Sequence, residues 1–201
     1  MTMTTLWTAD AVEDWTDALH RYDDVVARQG VVPLVELDRW YRDELPDAIA
    51  GRKIAHVTHG EIVKLAEWKM ARGVWRARNL ALVRGNDPAS VVQTSSEALA
   101  KMPDPTAPIT ALATLAGVGP ATASGVVAAA RPDIYPFFDE LVAAQIPGLG
   151  AVAWTTAYYR RYAEKLREKA SQLGGTWTPV RVERALWANS GGKAGGRKVG
   201  R

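Results

Sequence analysis

The sequence contains no cysteine among its 201 residues. This absence excludes disulfides, thiolate zinc sites, a cysteine nucleophile and an iron–sulfur cluster held by cysteines. Residues 1–8 lack the basic and apolar segments of a secretion signal, and no apolar run reaches the length of a membrane span. We therefore expect an intracellular protein, in the cytoplasm or nucleoid if its source is bacterial, without a membrane partner.

The chain also has little net positive charge outside its C-terminal tail. The formal net charge is +3, but four of the cations lie in the glycine-rich tail, at Lys193, Arg197, Lys198 and Arg201. Removing these four from the formal charge of +3 leaves −1 on the rest of the chain. A nearly neutral body produces a weak long-range field, so any anion-binding surface has to be a local patch.

Runs of alternating Val, Ile and Thr, typical of strands, are missing, whereas apolar residues recur with helical periodicity. The first helix is expected near Asp10 and Glu13, which have capping-box spacing. A second helix is predicted from Leu34 to Leu45, with Pro46 closing it. These patterns predict an all-α protein of roughly eight to nine helices.

Further along the chain, Thr58 and Glu61 form another capping box, and Gly73 is expected to kink or split the long helix that follows. Asp87 and Pro88 predict the cap and first position of the next helix. The segment after this helix contains several prolines, which predict a boundary between two helical lobes. The predicted organisation is an N-terminal helical lobe, a second helical lobe packed with it, and a disordered Gly/Lys/Arg tail, at residues 1–105, 106–189 and 190–201.

The most informative segment is the turn Leu115-Ala116-Gly117-Val118-Gly119-Pro120. Two glycines flank one aliphatic residue, directly before a proline that suits the first position of a helix. Glycine permits a positive φ and close backbone approach, and Val118 is expected to point inward and pin the turn. The N–H groups at the start of the next helix can hold an anion such as a DNA phosphate without a positive side chain.

Glycine pairs before a helix also occur in dinucleotide-binding turns and in phosphate-binding P-loops. A dinucleotide-binding turn requires a preceding buried strand, and the segment from Thr110 to Leu115 looks helical. A phosphate-binding P-loop requires Lys followed by Ser or Thr, and Ala121-Thr122 lacks the lysine. An ordinary helix–helix turn closed by glycines stays open as an alternative.

With its continuation through Val142, this segment resembles the helix-hairpin-helix superfamily of DNA base-excision glycosylases. The resemblance covers residues 111–142. It places Asp139 on the essential aspartate of that family, and it places six residues on the hairpin positions: Leu115, Gly117, Val118, Gly119, Thr122 and Ala123. It implies a two-lobed helix-hairpin-helix glycosylase fold, a double-stranded DNA partner and no cofactor.

The chain departs from the family pattern at Ala121, where bifunctional members carry a lysine nucleophile. Alanine cannot form a Schiff base, so the resemblance implies a monofunctional enzyme that releases a base and lacks lysine-dependent lyase activity. Breaking an N-glycosidic bond builds positive charge on the sugar, which an ionised Asp139 can stabilise. The alternative is that Asp139 only caps a helix beginning at Leu141.

A basic and aromatic segment lies between residues 61 and 85, and Lys69, Arg72 and Arg76 are its candidate DNA contacts. The alternative is a solvated helix face. His56 and His59 have no third ligand nearby in the sequence, so no metal is expected. Two other functions stay open: a catalytically inactive helix-hairpin-helix DNA-binding module, and a helical scaffold that binds another protein.

Overall fold

The computed structural model describes residues 6–195, with the backbone alone for residues 194 and 195. Regular structure in this range is entirely helical, which confirms the all-α prediction. After a 3₁₀ turn at Leu6–Thr8, the helices are α1 (Val12–His20), α2 (Tyr22–Arg28), α3 (Leu34–Arg39), α4 (Leu45–Ala50), α5 (His59–Arg72), α6 (Ala77–Arg84), α7 (Pro88–Leu99), α8 (Ala107–Leu112), α9 (Pro120–Ala130), α10 (Glu140–Ala143), α11 (Thr156–Leu173), α12 (Pro179–Ser190) and α13 (Gly192–Gly195). They are more numerous than the eight to nine expected, because several are short. None of these helices combines the length and apolar character needed to cross a membrane.

Two of the predicted helix starts are confirmed. The Thr58 hydroxyl accepts from the Glu61 N–H at 3.3 Å, and the Glu61 carboxylate accepts from the Thr58 N–H at 2.8 Å, which completes the capping box of α5. Asp87 caps α7 by accepting from the Ser90 N–H at 2.8 Å. Gly73 follows the end of α5, so the long helix is split as expected. These signals are local, which is why the sequence alone reveals them.

Two other local predictions are wrong. No side chain caps α1, because this helix begins at Val12 with Ala11 in the cap position. Pro46 does not end the second helix; α3 continues through a π-helical turn at Trp40–Glu44 into α4, where the proline lies in the first turn. The π-helical turn directly before Pro46 replaces the i→i−4 hydrogen-bond pattern with i→i−5 bonds, so the chain accommodates the missing N–H of proline there without ending the helix.

The predicted tail begins with helical residues. Ser190 is the last residue of α12, and α13 spans Gly192–Gly195, so the last helices extend past the predicted boundary at residue 190. Gly191 adopts a φ of 74°, which lets the chain reverse between these helices. Lys193 then forms an ion pair with Glu140, which anchors α13. The remaining tail cations lie outside the described residues.

Two helices organise the interior. α12 packs against α1, α2, α10 and α11, and α5 packs against α3, α6, α7 and α9. The buried side chains form one cluster from Leu6 to Ala188, with Trp68 of α5 and Trp187 of α12 fully buried. The C-terminal end of α5 lies close to α12, because Arg72 of α5 pairs with Glu183 of α12, and the polar groups enclosed there support the site described next.

Candidate functional site

The glycine turn between α8 and α9 is held tightly against α6. Gly117 has a φ of 74°, and a Cβ added there would lie 2.6 Å from the Asn79 carbonyl oxygen and 2.9 Å from the Leu82 Cβ. Only glycine fits this backbone and this approach. Val118 is 4% exposed, and its N–H donates to the Leu115 carbonyl at 3.1 Å. The predicted inward direction of Val118 is thus confirmed.

Asn86 fastens the same turn and was not identified from the sequence. Its side-chain N–H donates to the Ala116 carbonyl at 2.9 Å, and its side-chain oxygen accepts from the Ala116 N–H at 2.9 Å. The asparagine follows the end of α6, where a Gly-Asn-Asp-Pro sequence indicates only a turn before the next helix. This reciprocal pair fixes the turn relative to α6.

The start of α9 is open to ligands. Gly119 occupies the cap position, no side chain caps the helix, and a Cβ added at Gly119 would meet nothing within 4 Å. The first position, Pro120, has no N–H, so Ala121 and Thr122 carry the first N–H groups of the helix. Such groups attract an anion through hydrogen bonding and the helix dipole.

A cleft of about 270 Å³ lies in front of this helix start. It is lined by Gly117, Gly119 and Thr122 from the hairpin and by Lys69 and Arg76 from the basic segment. Leu115 and Val118, also predicted as hairpin residues, are buried and support the turn from behind. The cleft therefore brings together the two segments that the sequence analysis treated separately.

An adjoining hollow of about 60 Å³ contains Asp139. It shares Lys69, Arg76 and Trp154 with the hairpin cleft, so the two form one surface. We call this combined surface the hairpin–aspartate cleft. Asp139 thus lies near the hairpin in space, although 20 residues separate it from Gly119 in the chain.

Asp139 is the N-cap of α10. Its Oδ1 accepts from the Leu141 N–H at 2.8 Å, as the capping alternative predicts. Its Oδ2 lies 3.5 Å from the Nε of Arg72 and forms an ion pair there rather than a hydrogen bond. The residue is 9% exposed and reaches the hollow. One carboxylate oxygen is thus fixed by the cap, and the other has no hydrogen bond within the described part of the chain.

Arg72 is not a surface contact, which corrects its assignment as a candidate DNA contact. The residue is 2% exposed, and its guanidinium group pairs with Glu183 as well as with Asp139. The group lies 4.5 Å from the ring centre of Trp187 and 5.2 Å from that of Phe137. Arg72 is the last residue of α5 and faces α12, so its charge is neutralised inside the protein. No DNA phosphate can reach it there.

Glu183 was missed by the sequence analysis. Burial raises its pKa to about 7, Arg72 opposes this rise, and Asp139 adds to it. The sequence does contain a signal for the burial of Glu183. This residue precedes Leu186 and Trp187 by three and four residues, so it lies on the apolar face of α12. An acid on such a face indicates a buried partner.

The buried network extends further from Arg72. Its Nη1 donates to the Tyr22 hydroxyl at 3.4 Å, and Tyr22 donates to Asp38 at 2.9 Å. Trp68 also donates to Asp38, at 2.9 Å. Arg72 is therefore held from several sides and can in turn hold Asp139 in one position.

Lys69, Arg76 and Trp154 line the rim. Lys69 is half-buried; burial and the charge of Arg76 lower its pKa below the usual range, while Asp139 opposes the change. Arg76 is exposed. Trp154, another residue that the sequence analysis did not identify, is 46% exposed and lies 4.9 Å from Phe138 between ring centres. The rim thus combines cations with an exposed aromatic ring.

Comparison of the chain with protein-family models, curated proteins and solved structures finds no match.

Proposed function

We propose that this protein is a monofunctional DNA glycosylase of the helix-hairpin-helix type, which hydrolyses the N-glycosidic bond of a damaged or mismatched base. The observation that carries the proposal is the position of Asp139 in the same cleft as the glycine hairpin. A phosphate at the hairpin would hold the DNA backbone beside a carboxylate. Base removal from a duplex needs contacts that position the backbone and a catalytic group at the extruded nucleotide, and this cleft offers a candidate for each.

The hairpin supplies a backbone contact that does not depend on net charge. Ala121 and Thr122, which carry the first N–H groups of α9, line the cleft together with Lys69 and Arg76. Phosphate contacts of this kind position the duplex without reading its sequence. The cations add a local attraction, although the chain outside the tail carries no excess positive charge.

Asp139 supplies the chemistry in this proposal. As the N-glycosidic bond breaks, positive charge develops on the deoxyribose, and a fixed carboxylate lowers the energy of that state. The same carboxylate can orient the attacking water. The Leu141 N–H holds Oδ1 of this carboxylate in place. Arg72 is shared between Asp139 and Glu183, so its positive charge is not devoted to Asp139.

An extruded base would lie near Trp154, which is half-exposed at the rim shared by the cleft and the hollow. Flipped bases are stabilised by stacking on aromatic side chains. Ala121 occupies the position at which bifunctional members of the family carry a lysine nucleophile, and alanine has no amine. The product is therefore an abasic site with an intact strand.

A second candidate is a catalytically inactive DNA-binding module. The capping bond from the Leu141 N–H to Asp139 favours it, because this bond explains an aspartate here without any chemistry. The two functions share the hairpin and differ only in the role of Asp139.

A base-release screen separates these functions. Duplexes with alkylated, oxidised, deaminated or mismatched bases are incubated with the protein, and free base is measured. Release of free base from one class of duplex supports the glycosylase function, provided that the remaining DNA strand breaks only after alkali treatment. Salt-sensitive duplex binding without release identifies the binding module. Failure to bind duplex DNA at low salt overturns both and favours the protein-interaction scaffold.

A further inference from the structure

A second cleft, which shares no lining residue with the hairpin–aspartate cleft, is rich in arginine. Its volume is about 370 Å³, and Arg42, Arg181 and Arg184 line it beside Tyr22 and His20. An adjoining hollow of about 210 Å³ contains the same three arginines. We call the two together the arginine cleft.

The local structure brings these arginines together from two parts of the chain. Arg181 and Arg184 are three residues apart on α12 and therefore lie on one face of that helix. Arg42 comes from the π-helical turn after α3. The Tyr22 ring lies between the two sources, 5.3 Å from the guanidinium carbon of Arg42 and 6.0 Å from that of Arg184.

Two acids at this cleft are paired with Arg42, and one of them, Asp23, is itself a lining residue. The Nε of Arg42 lies 2.8 Å from Asp38, and its Nη2 lies 2.8 Å from Asp23. Among the described residues, neither Arg181 nor Arg184 forms an ion pair with a carboxylate, and Glu183, the neighbour of Arg184, pairs with Arg72.

Arg181 and Arg184 are both half-buried, and their guanidinium carbons lie 5.5 Å from the ring centre of Trp177 and 6.0 Å from that of Tyr22, respectively. Like charges held around one concave surface repel each other, and the surrounding protein focuses their field into the cleft. An anion bound there would remove this repulsion.

We propose that the arginine cleft binds a phosphate group. The two guanidinium groups without carboxylate partners match the charge of a phosphate monoester, about −1.5 to −2 near neutral pH. Guanidinium presents its donors in a planar fork that suits phosphate oxygens. The volume of the cleft falls within the range of small-molecule sites. Because this site shares no residue with the hairpin–aspartate cleft, the proposal does not rest on the glycosylase function.

Calorimetric titration of the full chain with inorganic pyrophosphate at constant ionic strength tests the site. We expect saturable binding that Arg184→Gln weakens by about tenfold or more, the usual value of a charge-assisted hydrogen bond. Arg160→Gln, which removes an exposed arginine of α11 outside the cleft, should leave the affinity unchanged. Arg184→Gln should stay folded at the temperature of the titration, because Arg184 forms no ion pair with a carboxylate among the described residues.

A competition arm identifies the source of the phosphate. Displacement of pyrophosphate by a short DNA duplex would assign the arginine cleft to backbone phosphates, whereas retention of pyrophosphate would assign it to small phosphorylated compounds. The proposal is overturned if pyrophosphate shows no saturable binding, or if titration with sodium chloride gives the same binding signal as pyrophosphate. It is also overturned if Arg184→Gln binds pyrophosphate with unchanged affinity.

Discussion

The Glu183→Gln variant should change how the stability of the protein depends on pH. Glu183 is fully buried beside Arg72, and burial raises its pKa from the ordinary 4.5 to about 7. The folded protein thus holds this proton more tightly than the unfolded chain. The stabilisation is fully present below pH 4.5 and is lost as the pH rises through 7.

The size of the effect follows from the two pKa values. A rise from 4.5 to about 7 corresponds to about 3 kcal/mol of unfolding free energy, lost by wild type between about pH 4.5 and pH 8. Glutamine resembles the protonated acid and does not titrate, so the variant avoids this loss. For a chain of this size, 3 kcal/mol corresponds to a change of roughly 6 to 12 °C in Tm.

Urea unfolding of both proteins at several pH values measures this difference. Other carboxylates titrate in both proteins, so the informative quantity is the stability of the variant minus that of wild type, which should increase with pH. Glu164→Gln, at an exposed position of α11, controls for the loss of one acidic residue. A constant difference across this pH range would refute the idea that the interior favours the protonated form of Glu183.

The remaining predictions concern the hairpin–aspartate cleft. Gly117→Ala should lower stability by about 1–3 kcal/mol because its φ is 74° and its Cβ would strike α6, whereas Gly119→Ala should cost less than about 1 kcal/mol in the same thermal unfolding assay. Lys69→Gln and Arg76→Gln should each reduce the slope of log affinity against log salt for duplex binding by about 1; an unchanged slope would place DNA elsewhere. Borohydride treatment with abasic DNA should trap no covalent adduct, because Ala121 has no amine, and an adduct that disappears in Lys69→Arg would contradict the monofunctional mechanism.

Signals carried by neighbouring residues were predictable from the sequence. The capping box of Thr58 and Glu61 and the cap at Asp87 involve contacts three residues apart, so a short sequence contains all their parts. The turn at Gly117 was predictable for the same reason, because its glycines and the proline after them are neighbours in the sequence. The failed cap at Asp10 shows the limit, since correct spacing does not ensure that a helix begins at the expected residue.

Contacts between distant segments could not be predicted in this way. Arg72 looks like a member of a basic surface when only its own segment is considered, and its partner Glu183 lies 111 residues away. The grouping of Trp154 with Asp139 and the hairpin likewise depends on the loop before α11, which places Trp154 in the same cleft as residues at the starts of α9 and α10. The glycine turn and Asp139 are candidates that the sequence itself suggests, whereas the charges packed around Asp139 are visible only in the folded structure.

Single-turnover base release by the Asp139→Asn variant tests the role of this carboxylate most directly. Asparagine keeps an oxygen that can accept from the Leu141 N–H, so α10 should retain its cap. With a duplex that wild type processes, we predict a rate at least about 100-fold lower and unchanged duplex affinity. Glu140→Gln, which alters the adjacent carboxylate at the rim, serves as the matched control and should retain the wild-type rate. A wild-type rate in Asp139→Asn would show that Asp139 is only a helix cap.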